Sequence, residues 1–290
     1  MDGRAVAPAA GTVLNALATG TGSAFAIDLE TTATVSLTSD GVVAGEIAAA
    51  PDADASLIER CVELALDRYA EDAGLERSTV GARVRTETEV PMASGLKSSS
   101  AAANATVLAT LDALEIADAV SRIDACLLGV QAARDAGVTV TGAFDDASAS
   151  MLGGVTVTDN TADELLAREP VDWDVLVYTP PERAYSADTD VGACERIAPM
   201  ADLVAELALD GRYGAAMTVN GFAFCGALEF PTGPLLEALP DVAGVSLSGT
   251  GPSYVAVGER EALEAARERW DERNGTTRVL RTRTDGTRTT

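Results

Sequence analysis

Apolar and polar positions follow two different periods in the first half of the chain, and these periods predict strands and helices. Residues 80–90 place Val, Ala and Thr at every second position, with Gly, Arg and Glu between them. This alternation is typical of a strand that covers a core with one face. The first forty residues mix β-branched and small side chains, which also predicts strands, with a turn at Ser39-Asp40-Gly41.

Three segments of this half are predicted to be helices. Apolar residues recur at three- and four-residue spacing over residues 53–73, and Gly74 stands where a helix would end. Residues 98–114 are rich in Ala, Leu and Val, and a third helix is predicted over about 118–136, closed by Gly137. Gly153-Gly154 then precedes a short strand over 155–158.

The second half of the chain mixes strands and helices as well. Helices are predicted over about 187–228 and in the charged segment after residue 257, and strands are predicted over residues 174–179, 242–247, 254–257 and 276–283. The Arg-rich end is interpreted as an edge strand with solvated arginines. The polar stretch 159–169, which ends at Pro170, is the predicted boundary between two domains, over 1–160 and 170–290. We therefore expect an α+β fold.

The composition is that of a globular protein with an unusual charge. With 290 residues, 47% of them hydrophobic and 23% charged, the chain can bury a large core and is neither disordered nor collagen-like. Its 45 acidic and 21 basic residues give a net charge of −24, which disfavours binding to nucleic acid or anionic lipid. Adaptation to high salt is one explanation, and an ordinary well-solvated acidic surface is the other.

Several classes of chemistry are excluded or disfavoured by residue content. The chain has no histidine, which excludes a Ser-His-Asp triad, a His-ligated zinc and a His general base. Its four cysteines form no CxxC pair, so reduced core thiols are favoured. No apolar run is long enough to cross a bilayer, and the segment MDGRAVAPAAG lacks a signal-peptide pattern. We expect a cytoplasmic protein, monomeric or homodimeric, with small-molecule partners and neither nucleic acid nor membrane.

The loop between the strand 80–90 and the helix 98–114 carries the clearest chemical signal. It reads PMASGLKSSS over residues 91–100 and includes Lys97, the one lysine of the chain. The free N–H groups and the dipole of a helix N-terminus attract anions such as phosphate, and Lys97 would add positive charge. The spacing is not that of a Walker A loop, and a serine-capped helix without a ligand is the alternative.

These residues resemble the phosphate-binding motif of the GHMP kinases, Pro-x-x-x-Gly-Leu-x-Ser-Ser. Two further segments match in the family's order: residues 248–253 resemble its Gly-rich C-terminal motif, and residues 141–146, followed by Gly153-Gly154, resemble the segment of its catalytic aspartate. Residues 10–29 and 138–150 look like the archaeal shikimate kinase branch. The usual N-terminal signature with a glutamate and a histidine is missing, and Lys97 stands where other members often have glycine.

The resemblance implies a two-domain GHMP kinase fold, with an N-terminal part like ribosomal protein S5 domain 2 and a ferredoxin-like C-terminal part. It implies ATP and Mg²⁺ as cofactors and phosphorylation of the 3-hydroxyl of shikimate. Ser99 and Asp135 would hold Mg²⁺, although Asp135 could equally be a surface acid. The residues that would bind ATP are Pro91, Met92, Ala93, Ser94, Gly95, Leu96, Lys97, Ser98, Ser99, Ser100, Ala101, Gly249, Thr250 and Gly251.

The catalytic carboxylate implied by the resemblance is Asp146 or Asp145. Asp146 is favoured because its spacing to Gly153 matches the family better, and two close carboxylates raise one pKa, which suits a base. The alternative is that both only cap a helix beginning near residue 147. The candidates for substrate contacts in the N-terminal segment are Thr12, Asn15, Thr19 and Thr21.

Three other functions remain open at this point. GHMP motifs specify phosphoryl transfer better than they specify the acceptor, so a homoserine kinase or another small-alcohol kinase is the first alternative. A non-catalytic protein that binds a small molecule and a structural scaffold are the others, and both are disfavoured by the retention of all three motifs.

Overall fold

The computed structural model describes residues 1–139, 141–182, 189–239 and 241–290, and within these ranges the chain forms two β-sheets covered by helices. The α+β expectation is confirmed. No helix in the described ranges combines the length and the apolar character that a membrane span requires.

The first sheet contains seven strands of the described chain. Its central strand, β2, has 18 residues and pairs with β1 along one edge, and with β4 and β5 along different parts of the other. The strands β3 and β4 are parallel, and the other pairs are antiparallel. The strands are β1 (Asp2–Leu14), β2 (Thr21–Thr38), β3 (Val43–Ile47), β4 (Gly81–Thr88), β5 (Val155–Asp159), β6 (Glu164–Glu169) and β11 (Arg288–Thr289).

Four helices pack together against this sheet. They are α1 (Ser56–Tyr69), α2 (Ser98–Ala113), α3 (Arg122–Asp135) and α4 (Phe144–Leu152). The α2 helix is buried along most of its length, and it approaches β1 so closely that a Cβ at Gly3 would lie 2.2 Å from the carbonyl oxygen of Ala109. The helix α3 begins later than predicted because Ser121 caps it by accepting a hydrogen bond from the Asp124 N–H.

The second sheet has four strands, in the order β10 (Thr276–Arg281), β7 (Asp174–Thr179), β9 (Tyr254–Gly258) and β8 (Gly244–Leu247). Its helices are α5 (Val191–Glu195), α6 (Ala198–Leu209), α7 (Tyr213–Ala227), α8 (Gly233–Ala238) and α9 (Arg260–Trp270). The helical prediction over 187–228 is confirmed for the described part as three helices, whereas residues 183–188 lie outside the described ranges. The pattern did not predict α8.

One hydrophobic core joins the two sheets. Phe25 of β2 and Val13 of β1 belong to the same buried cluster as Val175 of β7, Met217 of α7 and Val255 of β9. The polar stretch 159–169, predicted as a domain boundary, contains a strand: its residues 164–169 form β6, which pairs with β5. Leu165 and Ala167, half-buried while Glu164, Leu166 and Arg168 beside them are exposed, are the inward positions that explain this strand.

The end of the chain returns to the first sheet. The strand β10 is an edge strand with exposed Arg278 and Arg281, as predicted. Beyond it, β11 pairs with β1, and Arg283 and Arg288 form ion pairs of 2.7 and 2.9 Å with Glu30 of β2, so these arginines are not simply solvated. The division into two domains over 1–160 and 170–290 stays a prediction. The last strand, β11, belongs to the first sheet although it lies within the range 170–290. The four cysteines are buried free thiols, as expected.

Candidate active site

The loop before α2 adopts a backbone that depends on glycine. Ala93, Gly95 and Lys97 all have positive φ angles, of 54°, 81° and 64°. A Cβ at Gly95 would lie 2.2 Å from the carbonyl oxygen of Ser248, so only glycine permits this approach of the two segments. Ser94 closes the loop on itself, because its hydroxyl donates to the carbonyl oxygen of Pro91 at 2.7 Å.

The Gly-rich turn of residues 248–253 is bonded directly to this loop. The Ser248 hydroxyl donates to the carbonyl oxygen of Gly95 at 2.9 Å, and the Ser253 N–H donates to the carbonyl oxygen of Ser94 at 3.1 Å. Gly249 has a φ of 57°, and a Cβ there would lie 2.9 Å from Nζ of Lys97. The two motifs therefore form one rigid unit, which the sequence shows only as separate segments 150 residues apart.

Thr12 and Asn15, predicted to contact substrate, hold the Gly-rich turn in place. The Gly249 N–H donates to Oγ1 of Thr12 at 2.8 Å, and Nδ2 of Asn15 donates to the carbonyl oxygen of Gly249 at 2.9 Å. Thr12 is fully buried and does not line the cavity described below, whereas Asn15 does. Asn15 is itself fixed by Asn220 of α7, whose Oδ1 accepts from the Asn15 N–H at 3.0 Å. Thr19 and Thr21 do not line that cavity either.

A cavity of about 300 Å³ lies where the loop, the Gly-rich turn and the first turns of α2 and α4 meet. Lys97 is its one basic side chain among the described residues. Of the predicted ATP-binding set, Pro91, Leu96, Ala101 and Gly251 do not line the cavity. The predicted residues that line it are Asn15, Met92, Ala93, Ser94, Gly95, Lys97, Ser98, Ser99, Ser100, Asp145, Asp146, Gly249 and Thr250.

Asp145 lies in the first turn of α4 and is almost completely buried, with 5% of its surface exposed. It faces β2 at Gly22, where a Cβ would lie 2.5 Å from Oδ2 of Asp145. Nδ2 of Asn160 donates to its Oδ1 at 2.7 Å. Burial and the charge of Asp146 raise the pKa of Asp145 to about 7, against the opposing effects of Lys97 and the Asn160 hydrogen bond.

Asp146, the next residue, points to the cavity and to Lys97. Its Oδ1 lies 2.7 Å from Nζ of Lys97, and the two side chains are 17% and 6% exposed. Because so little water reaches this pair, its electrostatic attraction is weakly screened. The pair links the loop before α2 to the helix that carries both candidate catalytic carboxylates. The favoured candidate, Asp146, is thus the more accessible of the two.

Asp135, predicted to hold Mg²⁺, does not reach this cavity. Its carboxylate accepts from Nε of Arg60 at 2.7 Å and from Nε2 of Gln131 at 2.6 Å, and these partners lower its pKa. The reason is helical geometry: Ala133 of α3 lines the cavity, and a residue two positions later points to nearly the opposite side of the helix. The resemblance was based on the distance of Asp135 along the chain from the candidate catalytic aspartate. That distance does not determine where the Asp135 side chain points.

The remaining donors of the cavity fit a magnesium ion that is bound together with phosphate. Mg²⁺ prefers oxygen ligands and is commonly held by one or two protein groups, phosphate oxygens and water. Ser99 offers a hydroxyl at the first turn of α2, facing the cavity. No group of three or more acidic, Cys or His side chains suited to a metal occurs among the described residues, so phosphate would have to provide much of the coordination.

Two buried asparagines of this region escaped the sequence analysis. Asn160 lies in the polar stretch that was interpreted as a domain boundary. The sequence pattern therefore gave no indication that its side chain lies beside Asp145. Asn104 of α2 donates through Nδ2 to the carbonyl oxygen of Ala147 at 2.8 Å, which ties α2 to α4. An asparagine in a helix rich in Ala, Leu and Val is a usable signal, because a fully buried amide needs a partner.

Comparisons with known proteins identify related sequences and a related fold. Residues 56–154 match the family model of the GHMP kinases N terminal domain. The chain is 65% identical over 291 residues to a shikimate kinase of Halobacterium salinarum, covering 100% of both chains. It is 49% identical to a shikimate kinase of Methanosarcina mazei, covering 97% of this chain and 94% of the relative. The fold resembles that of a homoserine kinase from Cytophaga hutchinsonii, with a TM-score of 0.76 at 18% identity, covering 100% and 97%.

Proposed function

This chain belongs to the archaeal shikimate kinases within the GHMP kinase family, and we propose that it transfers the γ-phosphoryl group of ATP to the 3-hydroxyl of shikimate. The products would be shikimate 3-phosphate and ADP, in the biosynthesis of chorismate and aromatic amino acids. The observation that carries the proposal is the meeting of a phosphate-binding loop, a Gly-rich turn and two carboxylates at one cavity. The homoserine kinase mentioned above shares the fold alone at 18% identity and does not favour homoserine as the acceptor.

The loop and the N-terminus of α2 would bind the polyphosphate. Their backbone N–H groups and the helix dipole favour negative charge, and the glycines allow the backbone to come close. Lys97 supplies a full positive charge, which a polyphosphate needs in a chain with a net charge of −24. Mg²⁺, held by Ser99 and phosphate oxygens, would neutralise charge on the β- and γ-phosphates.

Asp146 would orient the acceptor hydroxyl and take its proton. In this step the hydroxyl oxygen forms a bond to the γ-phosphorus, the bond to the ADP oxygen breaks, and the hydroxyl proton passes to the Asp146 carboxylate. Lys97, 2.7 Å from this carboxylate, holds it toward the cavity and lies close enough to stabilise charge on the transferred group. We assign Asp145 a supporting role, because it is buried behind Asp146.

Other parts of the assignment are proposals with narrower support. Asn15 lines the cavity and keeps its proposed substrate contact, whereas we assign Thr12 to holding Gly249. The use of ATP supports a cytoplasmic location. The net charge of −24 and the similarity to a Halobacterium protein support adaptation to high salt. A monomer or homodimer remains our expectation for the oligomeric state.

The test is an assay of ADP release at high KCl with Mg-ATP, offering shikimate and homoserine in parallel. We expect turnover with shikimate and none with homoserine. Turnover with homoserine alone would refute the acceptor but keep the phosphoryl transfer, and absence of turnover with both acceptors despite ATP binding would refute the assignment. Mass spectrometry would identify the phosphorylated product. Its signal should disappear when Mg²⁺ is chelated.

A further inference from the structure

We propose that Asn160 is a positioning residue for the phosphoryl transfer: its carboxamide fixes the Asp145 carboxylate beside Asp146 and supplies the hydrogen bond that the negative charge of Asp145 needs. This inference rests on the proposed function, because it assigns a role inside the same site. Asn160 follows β5 directly and is 3% exposed, so water cannot replace its hydrogen bonds easily.

Two hydrogen bonds join Asn160 to Asp145 in opposite directions. Nδ2 of Asn160 donates to Oδ1 of Asp145 at 2.7 Å, and the Asp145 N–H donates to Oδ1 of Asn160 at 3.1 Å. One amide side chain therefore restrains both the carboxylate and the backbone at the first turn of α4. Because Asp146 is the next residue on that turn, its direction toward Lys97 depends on the same restraint.

The orientation of the carboxamide follows from its partners. The Asp145 N–H can only donate, so the Asn160 atom that faces it must be the oxygen, and the NH₂ group must face the carboxylate. The Thr158 hydroxyl donates to the same oxygen at 2.7 Å, and the Asn160 N–H donates to the carbonyl oxygen of Gly20 at 2.9 Å. These contacts hold Asn160 itself and leave its NH₂ group as the donor to Asp145.

In the described chain, the charged groups around Asp145 and Asn160 lie on α4, on the loop before α2 and on α3, whose Arg134 donates to the carbonyl oxygen of Asn160 at 3.4 Å and pairs with Asp163. On its own helix the neighbour is Asp146, and from the loop before α2 it is Lys97. The strands packed against it present uncharged groups, Gly22 of β2 and Thr156 and Thr158 of β5. Burial and Asp146 favour protonation of Asp145 and raise its pKa, whereas Lys97 and the Asn160 hydrogen bond favour the charged form.

The consequence concerns the neighbouring base. Because Asp145 and Asp146 are adjacent, protonation of Asp145 changes the charge that surrounds the proposed base. Loss of the Asn160 donor would leave Asp145 protonated up to a higher pH, so the negative charge beside Asp146 would appear only at that higher pH. Asn160 would thus act through Asp145, without touching the substrate.

The experiment compares Asn160→Leu, which has a similar size and no donor, with the wild-type protein. We expect kcat to fall about 10- to 100-fold, the effect of a lost hydrogen bond to a charged group. The acidic limb of the kcat profile should move to higher pH by about one unit, while KM for ATP changes less than about twofold. A fall in kcat with an unmoved pH profile, or no fall at all, would overturn the proposal.

Two controls separate this role from a structural one. Thr158→Val removes a neighbouring hydrogen bond of Asn160 but keeps the NH₂ donor, so its pH profile should stay in place. In an Asp145→Asn background, Asn160→Leu should cause no further pH shift, and a shift of undiminished size would overturn the proposal. If Asn160→Leu does not fold, Asn160→Ala, which is smaller and also lacks the NH₂ donor, carries the same test.

Unfolding experiments, which do not depend on turnover, distinguish failure of this inference from failure of the proposed function. Because the pKa of Asp145 is raised in the folded state, its contribution to stability is lost as pH rises toward neutrality. Asn160→Leu should move that loss to higher pH in unfolding experiments, whichever acceptor the enzyme uses. An unmoved pH dependence would refute the role of Asn160, and absence of shikimate turnover in the wild-type protein would refute only the function.

Discussion

Two ion pairs in the first half of the chain have the same length and opposite surroundings. Lys97 Nζ lies 2.7 Å from Asp146 Oδ1, and Arg60 Nε lies 2.7 Å from Asp135 Oδ2. The side chains of the first pair are 6% and 17% exposed, and those of the second are 35% and 30% exposed. Both aspartates were candidates for the active site, so the difference between the pairs decides which assignment the structure supports.

The two pairs differ in burial and in their position relative to the cavity, rather than in distance, and this difference supports the Lys97–Asp146 pair as the one that we propose to be functional. An exposed pair is screened by water and contributes about 0–1 kcal/mol. A pair removed from water loses hydration, which offsets much of its attraction, so it is a poor source of stability and is better explained by function. The Lys97–Asp146 pair lines the cavity with the phosphate-binding loop, whereas the Arg60–Asp135 pair joins α1 to α3 outside it.

The largest effect is expected from removing the carboxylate of each pair. Asp146→Asn should lower kcat by about 10²- to 10⁴-fold, because the acceptor hydroxyl loses its base, while ATP binding persists. Asp135→Asn is the matched variant on the surface pair and should leave kcat within about twofold. Steady-state kinetics would measure kcat of both variants, and a fluorescence titration would measure their ATP binding. An equal loss of kcat in Asp146→Asn and Asp135→Asn would contradict the comparison.

A smaller but still large effect is expected from exchanging the cation and keeping its charge. Lys97→Arg should lower kcat on the order of 10²-fold, because Nζ already lies close to Gly249 and the larger guanidinium would displace Asp146. The matched exchange at the surface, Arg60→Lys, should have no effect on turnover. Normal activity in Lys97→Arg would mean that charge alone suffices at this position.

The pH dependence of stability should have opposite signs at Asp145 and at Asp135. The folded-state pKa of Asp145 is raised from 3.8 to about 7, so its contribution is present below pH 3.8 and is lost as pH rises to about 7. The pKa of Asp135 is lowered, so its contribution is present above pH 3.8 and is lost as pH falls below that value.

Unfolding free energies at constant KCl would measure this difference. The gap between Asp145→Asn and the wild-type protein should change between about pH 4 and pH 7, and the gap for Asp135→Asn should change only below about pH 4. A gap for Asp145→Asn that stays constant across this range would contradict the raised pKa.

The smallest effect concerns salt. Arg60→Gln should cost about 0.2–1 kcal/mol of unfolding free energy at low KCl and almost nothing at molar KCl, because salt screens an exposed pair. The wild-type protein, with its net charge of −24, should itself become more stable as KCl rises. Urea unfolding over a KCl series tests both statements, and a flat wild-type response would remove the case for adaptation to high salt.

The elements of the site differed in how well the sequence could predict them. The loop over 91–97, its following helix and the Gly-rich turn were predicted because their chemistry is contiguous in the chain and depends on local backbone geometry. Asp135 and Thr12 were assigned from position along the chain, which does not say where a side chain points. The strand β6 was missed because its exposed Leu166 hides the alternation of Leu165 and Ala167 with exposed residues, in a short polar segment that resembled a domain boundary.

The class of fold and the class of chemistry could be inferred from the sequence alone, because the periods of the apolar residues, the absence of histidine and the three motifs indicate an α+β protein with the motifs of a kinase. Which groups meet in the cavity became known from the folded structure, because those contacts join residues far apart in the chain. Asn160 reaches Asp145 from the turn after β5, Lys97 reaches Asp146 from the loop before α2, and the Gly249 N–H donates to Thr12 from the other half of the chain. A side chain's direction depends on the packing around it, and no local pattern records that packing.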